Sequence, residues 1–174
     1  MREMISARKV LIVLILTIIS TSYGCKVSYS FSGASISQAV HSFSVQYFQN
    51  RAALVQPGLS QSITDALIDK CRAQTSLKYI NGIGDVNFEG EISDYNTRPL
   101  TVSADATAAT NRFTITVKVK FTNAVDPDNS YDQSFTGYED YNSNLDLSAV
   151  EKDLSDKIVV KIVEDIFNKA FVNW

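Results

Sequence analysis

Apolar and polar residues alternate most regularly in the middle of the chain, where Phe113, Ile115, Val117, Val119 and Phe121 interleave with Thr114, Thr116, Lys118, Lys120 and Thr122. A period of two sends the first set to one side of a strand and the second to the other, so one face is core and the other meets water. Asp126-Pro127-Asp128-Asn129 is a turn signal, and Tyr131, Gln133 and Phe135 then resume the same period. The two runs predict an antiparallel hairpin. Upstream, Phe43, Val45 and Tyr47 alternate with Ser44 and Gln46, and Val86, Phe88 and Ile92 alternate with Asn87, Glu89, Glu91 and Ser93. These runs predict two further strands.

Helical spacing appears twice. Leu59, Ile63, Ala66, Leu67 and Cys71 predict an amphipathic helix from Leu59 to Gln74, entered after the breakers Asn50, Pro57 and Gly58. Val150, Leu154, Ile158, Ile162, Ile166 and Ala170, widened by Val159, Val163, Phe167 and Phe171, predict a second helix, with Ser148 and Glu151 as its capping box. The order β-α-β-β-β-α predicts an α+β fold: one mostly antiparallel four-stranded sheet with both helices on one face. The opposite face is left open or covered by a partner. Asn81, Gly82 and Gly84 read as turn residues, and residues 103–110, rich in alanine and threonine, as a mobile loop between the second and third strands.

The N-terminus changes the picture of where the domain works. Arg2, Arg8 and Lys9 precede the apolar run 10–19, which is too short to span a bilayer needing about 20 apolar residues. Ser22 and Gly24 are the small residues before Cys25 that a lipoprotein signal peptidase requires. Residues 1–24 therefore read as a lipoprotein signal peptide, Cys25 as the lipid attachment site, 25–40 as a lipidated tether and 41–174 as one α/β domain. Each buried acyl methylene contributes about 0.8 kcal/mol, so several chains on Cys25 anchor the protein stably without spanning. Lys26 follows the cysteine and residues 27–31 hold no acidic run, which favours the outer membrane, on its periplasmic side or inside a barrel lumen.

Charge and chemistry narrow the function. Removing residues 1–24 takes away three bases (Arg2, Arg8, Lys9) and one acid (Glu3), which moves the formal net charge from -3 to -5. A basic footprint for nucleic acid is absent. His41 is the only histidine, without a nearby serine motif, and Cys71 lies on the apolar stripe of a helix, where burial suppresses the thiolate. Metal-ligand spacing is absent, so neither a metal nor another cofactor is expected. Glu89 and Glu91 share a strand face and read as solvated rather than as an acid/base pair. An enzyme is not expected. Arg98 and Arg112 flank the small-residue segment, and Lys118 and Lys120 repeat on one strand face. Those four cations either gather into a phosphate-binding patch or form an ordinary solvated face.

The combination of Cys25 with Tyr29-Ser-Phe-Ser-Gly-Ala-Ser35, Val45-Gln-Tyr-Phe-Gln-Asn-Arg51, Phe88-Glu-Gly-Glu-Ile-Ser-Asp-Tyr95, Asn111-Arg-Phe-Thr-Ile-Thr-Val-Lys-Val-Lys-Phe121 and Glu164-Asp-Ile-Phe-Asn-Lys-Ala-Phe171 resembles the LptE family of lipopolysaccharide-assembly lipoproteins, in the branch seen in Bacteroidetes. The resemblance implies a small sheet packed by two helices and inserted as a plug in the LptD β-barrel of the outer membrane. It also implies lipopolysaccharide as cargo, held by basic residues for which Arg98, Arg112, Lys118 and Lys120 are the candidates here. A lipoprotein that regulates a cell-wall synthesis enzyme by contact shares the anchor and much of the composition, and is the alternative.

Overall fold

The structure, a computed structural model, describes residues 36–54, 56–100 and 109–172. The leader 1–24, Cys25, most of the tether and residues 103–108 of the alanine/threonine-rich segment lie outside the described residues. In chain order the elements are β1 (Ser42–Val45), β2 (Gln49–Asn50), α1 (Leu59–Gln74), β3 (Lys78–Tyr79), β4 (Val86–Pro99), β5 (Thr110–Asn123), β6 (Tyr131–Asn142) and α2 (Leu147–Phe171). The α+β class holds, and α1 has the bounds that its periodicity predicts.

The sheet has six strands rather than four, in the order β3-β1-β4-β5-β6 with β2 beside β4. Strands β4, β5 and β6 are antiparallel, while β1 runs parallel to both β3 and β4, and β2 runs parallel to β4. The two extra strands hold two residues each, too few to show a period. Direction is likewise invisible to alternation: α1 is the crossover that returns the chain as β3 parallel to β1, a connection only parallel strands need.

Two irregularities in register decide which side chains are buried. Val45 pairs with Phe88 and Gln49 with Glu91, so the first strand spends one more residue than β4 over the same stretch. That extra residue inverts the alternation. Tyr47, expected with Phe43 and Val45 on the core side, is 57% exposed, and Phe48 is buried in its place. Gly90 makes the room, since a Cβ there would stand 2.4 Å from the Phe48 ring. Further along, the β4–β5 register shifts between Ile92 and Asp94, leaving Ser93 unpaired, and after this bulge Tyr95 points inward.

The core lies between the sheet and the helices. Phe88, Phe121 and Phe171 form a triangle with ring centroids 4.8, 6.0 and 6.1 Å apart, joining β4, β5 and α2. The α2 stripe is buried from Leu154 to Phe171, with Val150 partly buried against it. Gly137 of β6 lets this helix approach, because a Cβ there would lie 2.8 Å from Ile158 Cγ2. Ile63, Leu67 and Cys71 of α1 are fully buried, and Lys70 of α1 forms an ion pair with Glu164 of α2. Helix α2 begins one residue before Ser148, and its N-cap is Asp146, whose Oδ1 accepts from the Ser148 N–H at 3.1 Å. An aspartate caps as well as a serine and adds a charge favourable to the helix N-terminus. Glu151, freed from the expected capping box, accepts a hydrogen bond from the Tyr95 hydroxyl.

Asp85 ties the beginning of β1 to that of β4. Its Oδ2 accepts from the backbone N–H groups of His41 at 2.8 Å and Ser42 at 2.9 Å. Those two donors, with the Ser42 hydroxyl, hold the carboxyl below its usual 3.8. A depressed carboxylate stabilises the fold above the unfolded value and loses that contribution as pH falls through the folded one. The denaturation midpoint of Asp85→Ala should therefore lie below that of the parent at pH 7, and the difference should shrink as the pH is lowered below about 4. For the core, Ile162→Ala should cost about 2–5 kcal/mol in a denaturant titration, because Ile162 is fully buried beneath β6. A loss below about 0.5 kcal/mol would mean that α2 does not seal the sheet.

Candidate functional site

With α1 and α2 on one face, the other face of the sheet is built from the polar halves of β4, β5 and β6. Register sets its rows. Lys120 lies between Glu89 and Asp132, Lys118 between Glu91 and Ser134, and Arg112 between Arg98 and Asp140. Midway, the Thr116 and Thr136 hydroxyls are hydrogen-bonded at 3.0 Å. All four cations selected from the sequence occupy this face, grouped as two pairs. Arg112 and Lys118 stand six residues apart on β5, about 20 Å at the usual rise, and the row of Asp94, Thr116 and Thr136 separates them.

At the arginine end, the Arg112 guanidinium donates through Nε to Asp140 Oδ1 at 2.7 Å and through Nη2 to Oδ2 at 2.9 Å. The same group lies 3.8 Å from the centroid of the Tyr138 ring. This pairing raises the Arg112 pKa and holds the Asp140 carboxyl below the usual range. Arg98 is exposed and, among the described residues, has no ion pair. Two like charges directly opposite each other are unfavourable, and Asp140 offsets that cost. The arginine end carries two guanidiniums and one carboxylate.

At the lysine end, Lys118 Nζ lies 3.6 Å from Asp132 and Lys120 Nζ 3.9 Å from Glu89. Both distances exceed hydrogen-bond length, so these are loose contacts between exposed groups. An open cavity of about 380 Å³ sits here, floored by the two lysines with Glu89, Glu91 and Asp132 and rimmed by Tyr47 with Gln46 and Gln49. Buried Asn87 braces it: Ser44 Oγ donates to its Oδ1 at 2.6 Å, Gln46 Nε2 donates to the same oxygen at 3.1 Å, and its own Nδ2 donates to Glu89 Oε1 at 3.0 Å. Three carboxylates face two ammoniums, so the lysine end is net negative.

Sequence reasoning passes over Tyr47, Gln46, Gln49 and Asp132. Tyr47 and Gln49 reach the cavity only because of the break between β1 and β2, which no period reveals, whereas Gln46 falls on that face by the period of β1 itself. Asp132 escapes the count as well, since a symmetric turn at Asp126–Asn129 sets Lys120 opposite Phe135, whereas the register pairs it with Asp132. Elsewhere, burial pushes the Cys71 thiol up to about 12, which keeps it neutral and unreactive, and His41 is exposed at the start of β1. Among the described residues no group of His, Cys, Asp and Glu is arranged to hold a metal ion, and no helix is long and apolar enough to cross a membrane.

The sequence model of the LptE lipopolysaccharide-assembly family matches residues 40–170, which takes in every strand and all but the last residue of α2. The chain belongs to the LptE family. The fold is similar to that of lipoprotein B from Nitrosomonas europaea, with a TM-score of 0.52 and 16% identity over 82% of this chain and 87% of that one. It is also similar to a minor lipoprotein from Acinetobacter baumannii, with a TM-score of 0.50 and 11% identity over 75% of this chain and 91% of that one. At such identities the likeness concerns the fold alone. No curated protein matches the sequence.

Proposed function

We propose that this member of the LptE family is a lipid-anchored outer-membrane lipoprotein that plugs an LptD-type β-barrel, supports its assembly and helps deliver lipopolysaccharide to the outer leaflet. The observation that carries the reading is the family match across residues 40–170. The short apolar leader and Cys25 support the anchor, and the helix-backed sheet with one open polar face supports action by contact rather than by catalysis. A regulator of a cell-wall synthesis enzyme would share the anchor, and the family match favours the barrel. Recovery of an LptD-type barrel with the tagged protein from outer membranes is the deciding measurement, and recovery of a cell-wall synthase instead would overturn the reading.

Within this function, Arg98, Arg112, Lys118 and Lys120 contact the anionic sugar-phosphate part of the cargo. The arginine end supplies the surplus positive charge, and charge-assisted bonds to phosphate are the strong ones when well formed. Replacing Arg98 and Arg112 together with glutamate should weaken lipopolysaccharide binding by about tenfold or more at moderate salt. Replacing Lys118 and Lys120 with glutamate should weaken it as well, and both variants should still assemble with the barrel. Unchanged affinity in both would move the contact off this face. Cys25→Ala should abolish acylation, and a mature N-terminus beginning elsewhere in the parent protein, read by mass spectrometry, would remove the anchor from the reading.

A further inference from the structure

We infer that the cavity at the lysine end is a glycan site, which holds the hydroxyl-bearing face of a sugar residue against Tyr47 rather than a phosphate group. The inference rests on the lipopolysaccharide reading for the source of the glycan, and it names the part of that molecule the cavity takes.

Charge argues first. A phosphate oxygen only accepts hydrogen bonds, so a phosphate seated on Lys118 and Lys120 would face the carboxylates of Glu89, Glu91 and Asp132 around the same cavity. The arginine end has the opposite balance, and an anion gains more there. Unused hydrogen-bonding capacity argues second. The lysine contacts at 3.6 and 3.9 Å leave ammonium protons and carboxylate lone pairs without close protein partners. A sugar hydroxyl both donates and accepts. Set between an ammonium and a carboxylate, it completes both, which neither a phosphate nor a cation does. Neighbouring strands about 4.8 Å apart alternate acid and base across this face, so donors and acceptors meet a ligand in turn.

Shape argues third. Tyr47 is 57% exposed at the rim and offers its ring as a flat apolar surface for the C–H side of a sugar, with its hydroxyl free to bond. The volume falls within the range of about 300–1,000 Å³ typical of small-ligand sites. Bracing of Glu89 by buried Asn87, itself held by Ser44 and Gln46, fixes one acceptor before any ligand arrives. Such prior ordering lowers the entropic cost of binding.

The test uses the full acylated chain in detergent micelles and two probes: the oligosaccharide released from lipopolysaccharide by complete deacylation, before and after its phosphates are removed. Calorimetric titration should show the dephosphorylated oligosaccharide binding within about threefold of the phosphorylated one at moderate salt. Tyr47→Ala and Glu91→Gln should each weaken the dephosphorylated probe by about tenfold or more, while Lys152→Gln, at an exposed position of α2, should leave it unchanged. Circular dichroism controls for folding, and neither Tyr47 nor Glu91 belongs to the core. Loss of binding on dephosphorylation, absence of binding to either probe, or affinities unaltered in both cavity variants would each overturn the inference. Intact lipopolysaccharide, titrated in parallel, separates the two readings. If it binds and the dephosphorylated oligosaccharide does not, the cavity inference falls and the cargo reading stands, whereas the reverse result keeps the cavity and removes the cargo.

Discussion

Strand β5 is the constraint on which the rest of the domain depends. It is paired on both sides along most of its length, by β4 and by β6. Its alternate residues from Phe113 to Phe121 are buried under the helices, while Lys118 and Lys120 stay in water. A slip of one residue against either neighbour would exchange the two sets, driving both lysines into the core and five large apolar side chains into solvent. Burial of those side chains is worth about 1.5–3 kcal/mol each, so the register is strongly specified. The cross-strand rows of the open face follow from it without any interaction of their own.

That asymmetry explains why some of the molecule is legible in the sequence. The alternation of β5, the turn at Asp126–Asn129 and the stripes of α1 and α2 are repeated patterns, each imposed by one continuous apolar surface. Burial enforces them residue after residue, and they read correctly. Features that depend on a single residue of register do not. Tyr47 and Phe48 exchange roles because β1 and β2 spend one residue more than β4, and Tyr95 turns inward because Ser93 bulges. The cap of α2 moves to Asp146 for a similar reason: Asp146 and Ser148 are both good caps, and the hairpin that delivers the chain decides between them. Parallel pairing of β1 with β3 and β4 leaves no local trace at all.

The candidate site shows the same division. That Lys118 and Lys120 share a face is a property of one strand and can be read from it. That Arg98 and Arg112 are cross-strand partners, and that the lysines stand among Glu89, Glu91 and Asp132, depends on how three strands align. Counting cations along the chain suggests one basic patch, whereas register yields a positive end and a mixed, net negative end about 20 Å apart. Surface ion pairs of this kind contribute little to stability. Their arrangement therefore matters to what approaches the face more than to whether the domain folds.

Under the proposed function, the edges of the sheet bear on how such a domain would meet a barrel. At one end β3 is two residues long and offers little unpaired backbone, while at the other β6 runs from Tyr131 to Asn142 with no strand beyond it among the described residues. A closed barrel has no free edge of its own, so a domain inside one cannot extend its ladder into the wall. Contact with a closed wall must pass through side chains and loops. On β6 the three acidic residues are already matched within the chain, Asp132 by Lys118, Glu139 by Lys161 and Asp140 by Arg112. Asp140 is held by a close bidentate pair while Asp132 keeps only a loose contact at 3.6 Å, so the acidic charge of this strand is offset unevenly along its length.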